Sequence, residues 1–216
     1  MNSQPEYVQD GSSVAGASVE PRYAVGDVLA RMLTELLAPW ILVVVLPLAV
    51  AREATGEPGA AVGWGLLVVL TSSILPMMVL VWGARSGRWD GHHVRNRQER
   101  LVPFLVIIVL SGIGLGMLLL GGAPWLLTAL DISMVISLLA ACAVTLRWKI
   151  SMHTAVASGT VAMLAETYGP ALWGLSPLVI AIAWSRVRVR DHTVPQVATG
   201  GVLGAVVGGG LFALLS

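Results

Sequence analysis

Beyond a polar opening stretch, the chain alternates long apolar runs with short polar or charged breaks. Seven apolar segments can be marked out, roughly Met32–Val50, Ala61–Trp82, Leu101–Leu120, Pro124–Leu146, Ser151–Tyr168, Ala171–Trp184 and Thr193–Leu215. Most approach the length of about 20 residues that a helix needs to cross a hydrocarbon core, and helices satisfy their own backbone there. The sixth is the shortest, at about 14 residues, and extends to Arg190 if the arginines at its end snorkel to the interface. Counting the fifth as partly re-entrant gives six crossings instead of seven. The predicted fold is an all-α, polytopic transmembrane helix bundle of six to seven spans.

Residues 1–21 are polar, rich in Ser and Gly, and lack an apolar period. They read as a disordered tail. They do not read as a signal peptide, since no basic start precedes an early apolar core. Residues 22–216 then form a single transmembrane domain. Composition agrees: 56% of the chain is apolar and 12% charged, with a mean hydropathy of +0.81. Soluble domains carry about 25% charged residues. A net charge of +1 gives no sign of a nucleic-acid partner. The single cysteine, Cys142, lies inside an apolar run, which excludes an intramolecular disulfide.

The charges matter by position. With seven spans, the N-terminal tail, residues 83–100, 147–150 and 185–192 share one side. Twelve of the 13 Lys and Arg residues fall there, and only Arg52 falls on the other side. Setting aside Arg100, Lys149 and Arg186 still leaves nine against one. By the positive-inside rule the charged side faces the cytoplasm. Topogenic arginines account for the sign of this bias but not for the histidines among them.

In the last segment Gly200, Gly204 and Gly208 recur at four-residue spacing, a small-residue stripe that lets another helix approach closely. Internal packing is the favoured use, with a homodimer through the Gly200/Gly204/Gly208 face as the alternative. Asp131 is an intramembrane carboxylate remote from the charged loops, and a structural hydrogen bond is expected there.

Three charged stretches on one side carry the candidate chemistry. Ser185-Arg186-x5-His192-x3-Gln196 resembles the third signature of the type 2 phosphatidic acid phosphatase (PAP2) superfamily, Ser-Arg-x5-His-x3-Asp. Ile150-Ser151-Met152-His153 resembles the second, Pro-Ser-Gly-His. His93-x6-Arg100-Leu101 resembles the first, Lys-x6-Arg-Pro. The resemblance implies that His192 is the nucleophile accepting a phosphoryl group. His153 would protonate the leaving oxygen and then activate water. It implies phosphate-binding roles for His93, Arg100, Lys149, Ser151 and Arg186, with Lys149 a point charge in place of the missing signature lysine. Guanidiniums suit the task because they pair with phosphate oxygens in bidentate fashion. Arg97 and Arg190, with Arg95 and Arg188, are either topogenic or reach a second phosphate. No metal or other cofactor is implied.

Gln196 departs from the signature. In most of the superfamily an aspartate there holds the other nitrogen of the nucleophilic imidazole. A glutamine can accept the same hydrogen bond without adding charge. His-Thr-x-x-Gln-Val resembles the dolichyl-diphosphatase-like and actinobacterial-type branches. The implied protein is a phosphatase of the bacterial plasma membrane with its motif face cytoplasmic. Its substrate would be a lipid phosphate or diphosphate, an isoprenoid diphosphate first and a phosphatidate-type monoester second. Two rivals stand beside it: a non-hydrolytic relative that binds or flips a lipid phosphate, and a lyase or cyclase that ionises a prenyl diphosphate.

Overall fold

The structure is a computed structural model in which residues 25–86 and 97–216 are described. All regular structure among them is helical. In chain order the helices are α1 (Val25–Leu36), α2 (Pro39–Thr55), α3 (Pro58–Val69), α4 (Leu75–Arg85), α5 (Arg97–Gly121), α6 (Trp125–Thr145), α7 (Met152–Tyr168), α8 (Ser176–Arg188), α9 (Val194–Leu203) and α10 (Gly210–Leu215). Wide π turns, Leu70–Ile74 and Gly204–Gly209, join α3 to α4 and α9 to α10. A 3-10 turn, Pro170–Leu175, leads into α8.

Among the described residues, five stretches are long and apolar enough to cross a membrane: Pro58–Gly83, Phe104–Gly121, Trp125–Thr145, Pro170–Arg188 and Val194–Leu215. The protein is therefore an integral membrane protein by the length and apolarity of its helices. The first expected segment is two helices, because α1 and α2 meet at a bend of 43°; taken together they make a sixth span. The break has a local cause. Pro39 occupies the first position of α2, and Ala38 before it is extended (φ −62, ψ 146), as a residue preceding proline prefers. A single unbroken span was expected there, and proline punctuation overrides it.

The fifth expected segment is α7, whose 17 residues leave it short of the other spans. It is the interior helix of the bundle. Ala155, Ala157, Ser158, Gly159, Thr160, Val161 and Ala162 are all buried. Its small and hydroxyl-bearing residues face protein, so its length and polarity need not suit lipid.

Helix α7 runs parallel to the last span in a regular register. The Ser151 N–H donates to the Gln196 carbonyl at 3.2 Å, the Thr154 hydroxyl to that of Val197 at 3.0 Å, and the Ser158 hydroxyl to that of Gly201 at 2.8 Å. Glycines make the approach possible. A methyl group at Gly200 would overlap the Ser151 carbonyl, one at Gly204 the Ala155 carbonyl, and one at Gly209 the Ala162 side chain. The stripe at Gly200, Gly204 and Gly208 thus packs internally, with Gly208 against Met163 and Ser137. That face is occupied within the chain, as the favoured use expects.

This contact sets a test. Gly204→Ala should lower the thermal stability of the detergent-solubilised protein by about 1–3 kcal/mol, the usual cost of overpacking. Gly201→Ala, whose Cβ meets nothing within 4 Å, should be neutral or gain up to about 1 kcal/mol of helix propensity. Equal effects from the two substitutions would show that the stripe is not where α7 and the last span touch.

Candidate functional site

The parallel register places the starts of α7 and α9 side by side, and with them the two stretches that carry histidines. Ser151 caps α7, its hydroxyl oxygen accepting from the Thr154 N–H at 3.4 Å. It is fully buried. His153 follows in the first turn. At the neighbouring helix end, α8 stops at Arg188 and the chain turns through Arg190, which takes a left-handed backbone (φ 61). The Arg186 carbonyl then accepts from the N–H groups of both Asp191 and His192, at 3.1 and 3.2 Å. One carbonyl therefore pins His192 against the helix end that carries Arg186.

Charge converges on the two rings. His192 feels Lys149, Arg186 and Asp191, and His153 feels Arg186, His192 and Asp191. Lys149 donates to the Asp191 carbonyl at 2.6 Å, tying the loop before α7 to the loop before α9. Arg186 forms an ion pair with the Asp191 carboxylate at 2.6 Å; the arginine side chain is 11% exposed and the aspartate 53%. Two buried polar atoms of this group have no hydrogen-bond partner among the described residues: Nε of Arg186 and Nδ1 of His192. Burial pushes the His192 ring down to about 4, Lys149 and Arg186 push it the same way, and Gln196 and Asp191 oppose them. The ring is neutral at pH 7 and carries a free lone pair.

Gln196 has a second engagement. Its side-chain oxygen accepts from the Thr193 N–H at 3.1 Å, the reach-back half of a capping box at the start of α9. It lies close enough to favour a proton on His192, yet Nδ1 of that ring has no hydrogen bond of good geometry.

Helix α1 closes over this group, a contact that no local pattern in the residues predicts. Asp27 accepts from Arg188 at 2.8 Å, and the Thr34 and Ser185 hydroxyls are 3.2 Å apart. The Thr34 carbonyl also faces the His153 ring. Ala30 is buried between these contacts, while Val25, Val28, Leu29, Met32 and Leu36 remain exposed. The inward face is polar and small, and the outward face is apolar. Only the 3.6-residue period of these positions could have flagged such a helix, and the apolar run into α2 obscured it.

The structure thus brings Lys149, Ser151, His153, Arg186, His192 and Gln196 together at one end of the bundle, and adds Asp191. Arg190 is exposed on the turn beside them. His93 falls outside the described residues, and for Arg97 and Arg100 only the helical backbone is described. Asp131 has the Ser72 hydroxyl beside it, in reach of the structural hydrogen bond expected there, although neither carboxylate oxygen meets good hydrogen-bond geometry among the described residues.

The buried, cation-flanked position of His192 yields a pH dependence. Between about 4 and its ordinary 6.5 the folded protein holds fewer protons on this ring than the unfolded chain. This contribution to stability is therefore intact above that window and lost as pH falls through it. Histidine-selective NMR should find His192 still neutral at pH 5.5; a ring already protonated at pH 6.5 would contradict the burial described. No protein-family model, no curated protein and no solved structure matches the chain.

Proposed function

We propose that the protein is a membrane phosphatase acting on a lipid phosphate or diphosphate through a phosphohistidine at His192. The observation that carries this reading is the pair of buried, unpartnered atoms, Arg186 Nε and His192 Nδ1, set among Lys149 and Arg186 cations. An unpaired guanidinium N–H beside a neutral imidazole suits an incoming phosphoryl group, which accepts from the first and is attacked by the second. The ion pair of Arg186 with Asp191 holds the guanidinium in place until phosphate oxygens compete for it.

In the first step a ring nitrogen of His192 bonds to phosphorus, the bond to the leaving alkoxide or phosphate breaks, and His153 gives that oxygen its proton. In the second, water attacks the phosphohistidine, His153 takes the proton, and the P–N bond breaks to release phosphate. Arg186 and Lys149 stabilise the charge on the transferring oxygens. Burial, Arg186 and His192 push the His153 ring down to about 4, and the substrate's negative charge opposes that push and favours the proton His153 needs for the first step. An isoprenoid diphosphate is the preferred substrate, on the resemblance of His-Thr-x-x-Gln-Val to the dolichyl-diphosphatase-like branch and the surplus arginines, and a phosphatidate-type monoester the second.

One observation favours a second reading, a protein that binds or flips the same headgroup without hydrolysis. The Gln196 oxygen is engaged with Thr193, and His192 Nδ1 lacks the partner that would fix its orientation. Purified protein incubated with prenyl diphosphate and with phosphatidate, with and without chelator, separates the readings. Phosphate, diphosphate and the organic product are measured together. Phosphate release lost in His192→Ala supports the phosphatase. Headgroup binding without release supports the binder, and diphosphate release with a rearranged hydrocarbon supports a lyase. Wild-type turnover in His192→Ala would remove the nucleophile from the account. Gln196→Asp, which can still cap α9, should stay within about tenfold, roughly 1.4 kcal/mol in the barrier. Gln196→Leu should cost more, about 1–3 kcal/mol, by leaving buried N–H groups unpaired.

The site faces the cytoplasm in this reading, on the bias of Lys and Arg toward its side. A cysteine introduced by Ser86→Cys should resist an impermeant thiol reagent added outside intact cells. Efficient labelling there would reverse the orientation and make the substrate an exported carrier lipid.

A further inference from the structure

Helix α6 carries an acid in its membrane interior that has the Ser72 hydroxyl beside it and no hydrogen bond of good geometry among the described residues. Asp131 is 0% exposed, and both of its oxygens lack a hydrogen bond. The polar group beside it, the Ser72 hydroxyl, is likewise buried and unpartnered. Ionisable groups inside a membrane are costly, and unsatisfied buried pairs of this kind call for an explanation.

A cavity of about 110 Å³ lies beside them, lined in part by Ser72, Met134, Met152, Met163, Gly204 and Gly208. Helix α6 adds Leu138 and Ala141 to the lining. Met134, Leu138 and Ala141 follow Asp131 by three, seven and ten positions, which puts the acid on the same helix face, one turn beyond the cavity. Ser72 stands between the two. Both π turns border this space: Ser72 belongs to Leu70–Ile74, and Gly204 and Gly208 belong to Gly204–Gly209. Such widened turns are rare and recur at functional sites. Here two of them, far apart in sequence, flank one cavity.

We propose that this cavity binds an uncharged amphiphile, an apolar chain ending in a hydroxyl, and that Ser72, which lines the cavity, holds the hydroxyl with the Asp131 carboxyl behind it. A carboxyl and a hydroxyl together offer donor and acceptor, and an alcohol needs both. The remaining walls are mostly apolar, with methionines that adapt to irregular shapes, and Ser111, Ser137 and Thr160 add hydroxyls to them. An apolar cavity of about 150 Å³ accepts a molecule the size of benzene, so this one takes the head end of a chain and not a whole lipid. An ammonium would also face the carboxyl, but it would bring a second charge out of water. The proposal is independent of the chemistry at His192.

A long-chain alcohol bearing a diazirine, a matched alkane and a matched amine test it, with the full-length protein in lipid nanodiscs and labelled residues mapped by mass spectrometry. The alcohol should label peptides containing Met134, Met152 and Met163 about fivefold more than the alkane, the ratio that one hydrogen bond supplies. Asp131→Leu and Ser72→Ala should bring the alcohol down to the alkane level. Asp131→Asn should keep most of the excess, because an amide also donates and accepts; this variant and Ser72→Ala decide the matter if Asp131→Leu does not fold. Equal labelling by alcohol and alkane in the wild type, or an undiminished alcohol excess in Ser72→Ala, would overturn the site. Preferential labelling by the amine would overturn the hydroxyl as its ligand.

Discussion

The rest of the molecule depends on how closely α7 and the last span approach. In lipid the hydrophobic effect does not drive helices together, so contact rests on packing and on hydrogen bonds between helices. Here glycine removes the side chains that would hold the backbones apart, and Thr154 and Ser158 reach across to carbonyls of Val197 and Gly201. Such bonds contribute about 0.6–2 kcal/mol each, and dispersion between touching backbones adds to them. Because the pair is parallel, the same contact that holds the bundle sets the two histidine-bearing starts next to each other. Stability and the site share one interface.

Around that interface the charges are arranged economically. Among the described residues Asp191 is the one acid acting on both rings, and it touches both basic partners: its carboxylate pairs with Arg186 and its carbonyl receives Lys149. Without it two cations would face two imidazoles with nothing between them. The ion pair is exposed on the aspartate side, so it adds little to stability. Its effect is positional, keeping a guanidinium where it can exchange one anionic partner for another.

Much of this was legible in the residues. The apolar runs predicted a helical membrane protein, and the breaks between them placed Ser151, His153, Arg186 and His192 on one side. Four-residue glycine spacing predicted a close helix contact. Three things were not legible, each for a physical reason. The link of Asp27 to Arg188 joins residues 161 positions apart, and no local pattern encodes it. The first segment was read as one helix because its apolar content is continuous, although Pro39 marked the break. Gln196 was read only against His192, while Thr193-x-x-Gln196 is also a capping-box pattern that predicts its bond to the Thr193 N–H. A side chain with one oxygen was assigned one role where local backbone geometry had a prior use for it.

The parallel arrangement of α7 and the last span also governs how the protein can be assembled. Two parallel helices cannot form a hairpin, so the intervening stretch Pro170–Arg188 has to recross the membrane before their contact exists. Until then α7 presents Thr154 and Ser158 to whatever surrounds it, with hydroxyls bonded only within their own helix. The histidine of α7 meets the histidine before α9 at the close of insertion, when the glycine-rich final span slides in beside it. A chain stopped short of Val194 would lose Gln196 and the glycine face that α7 packs against.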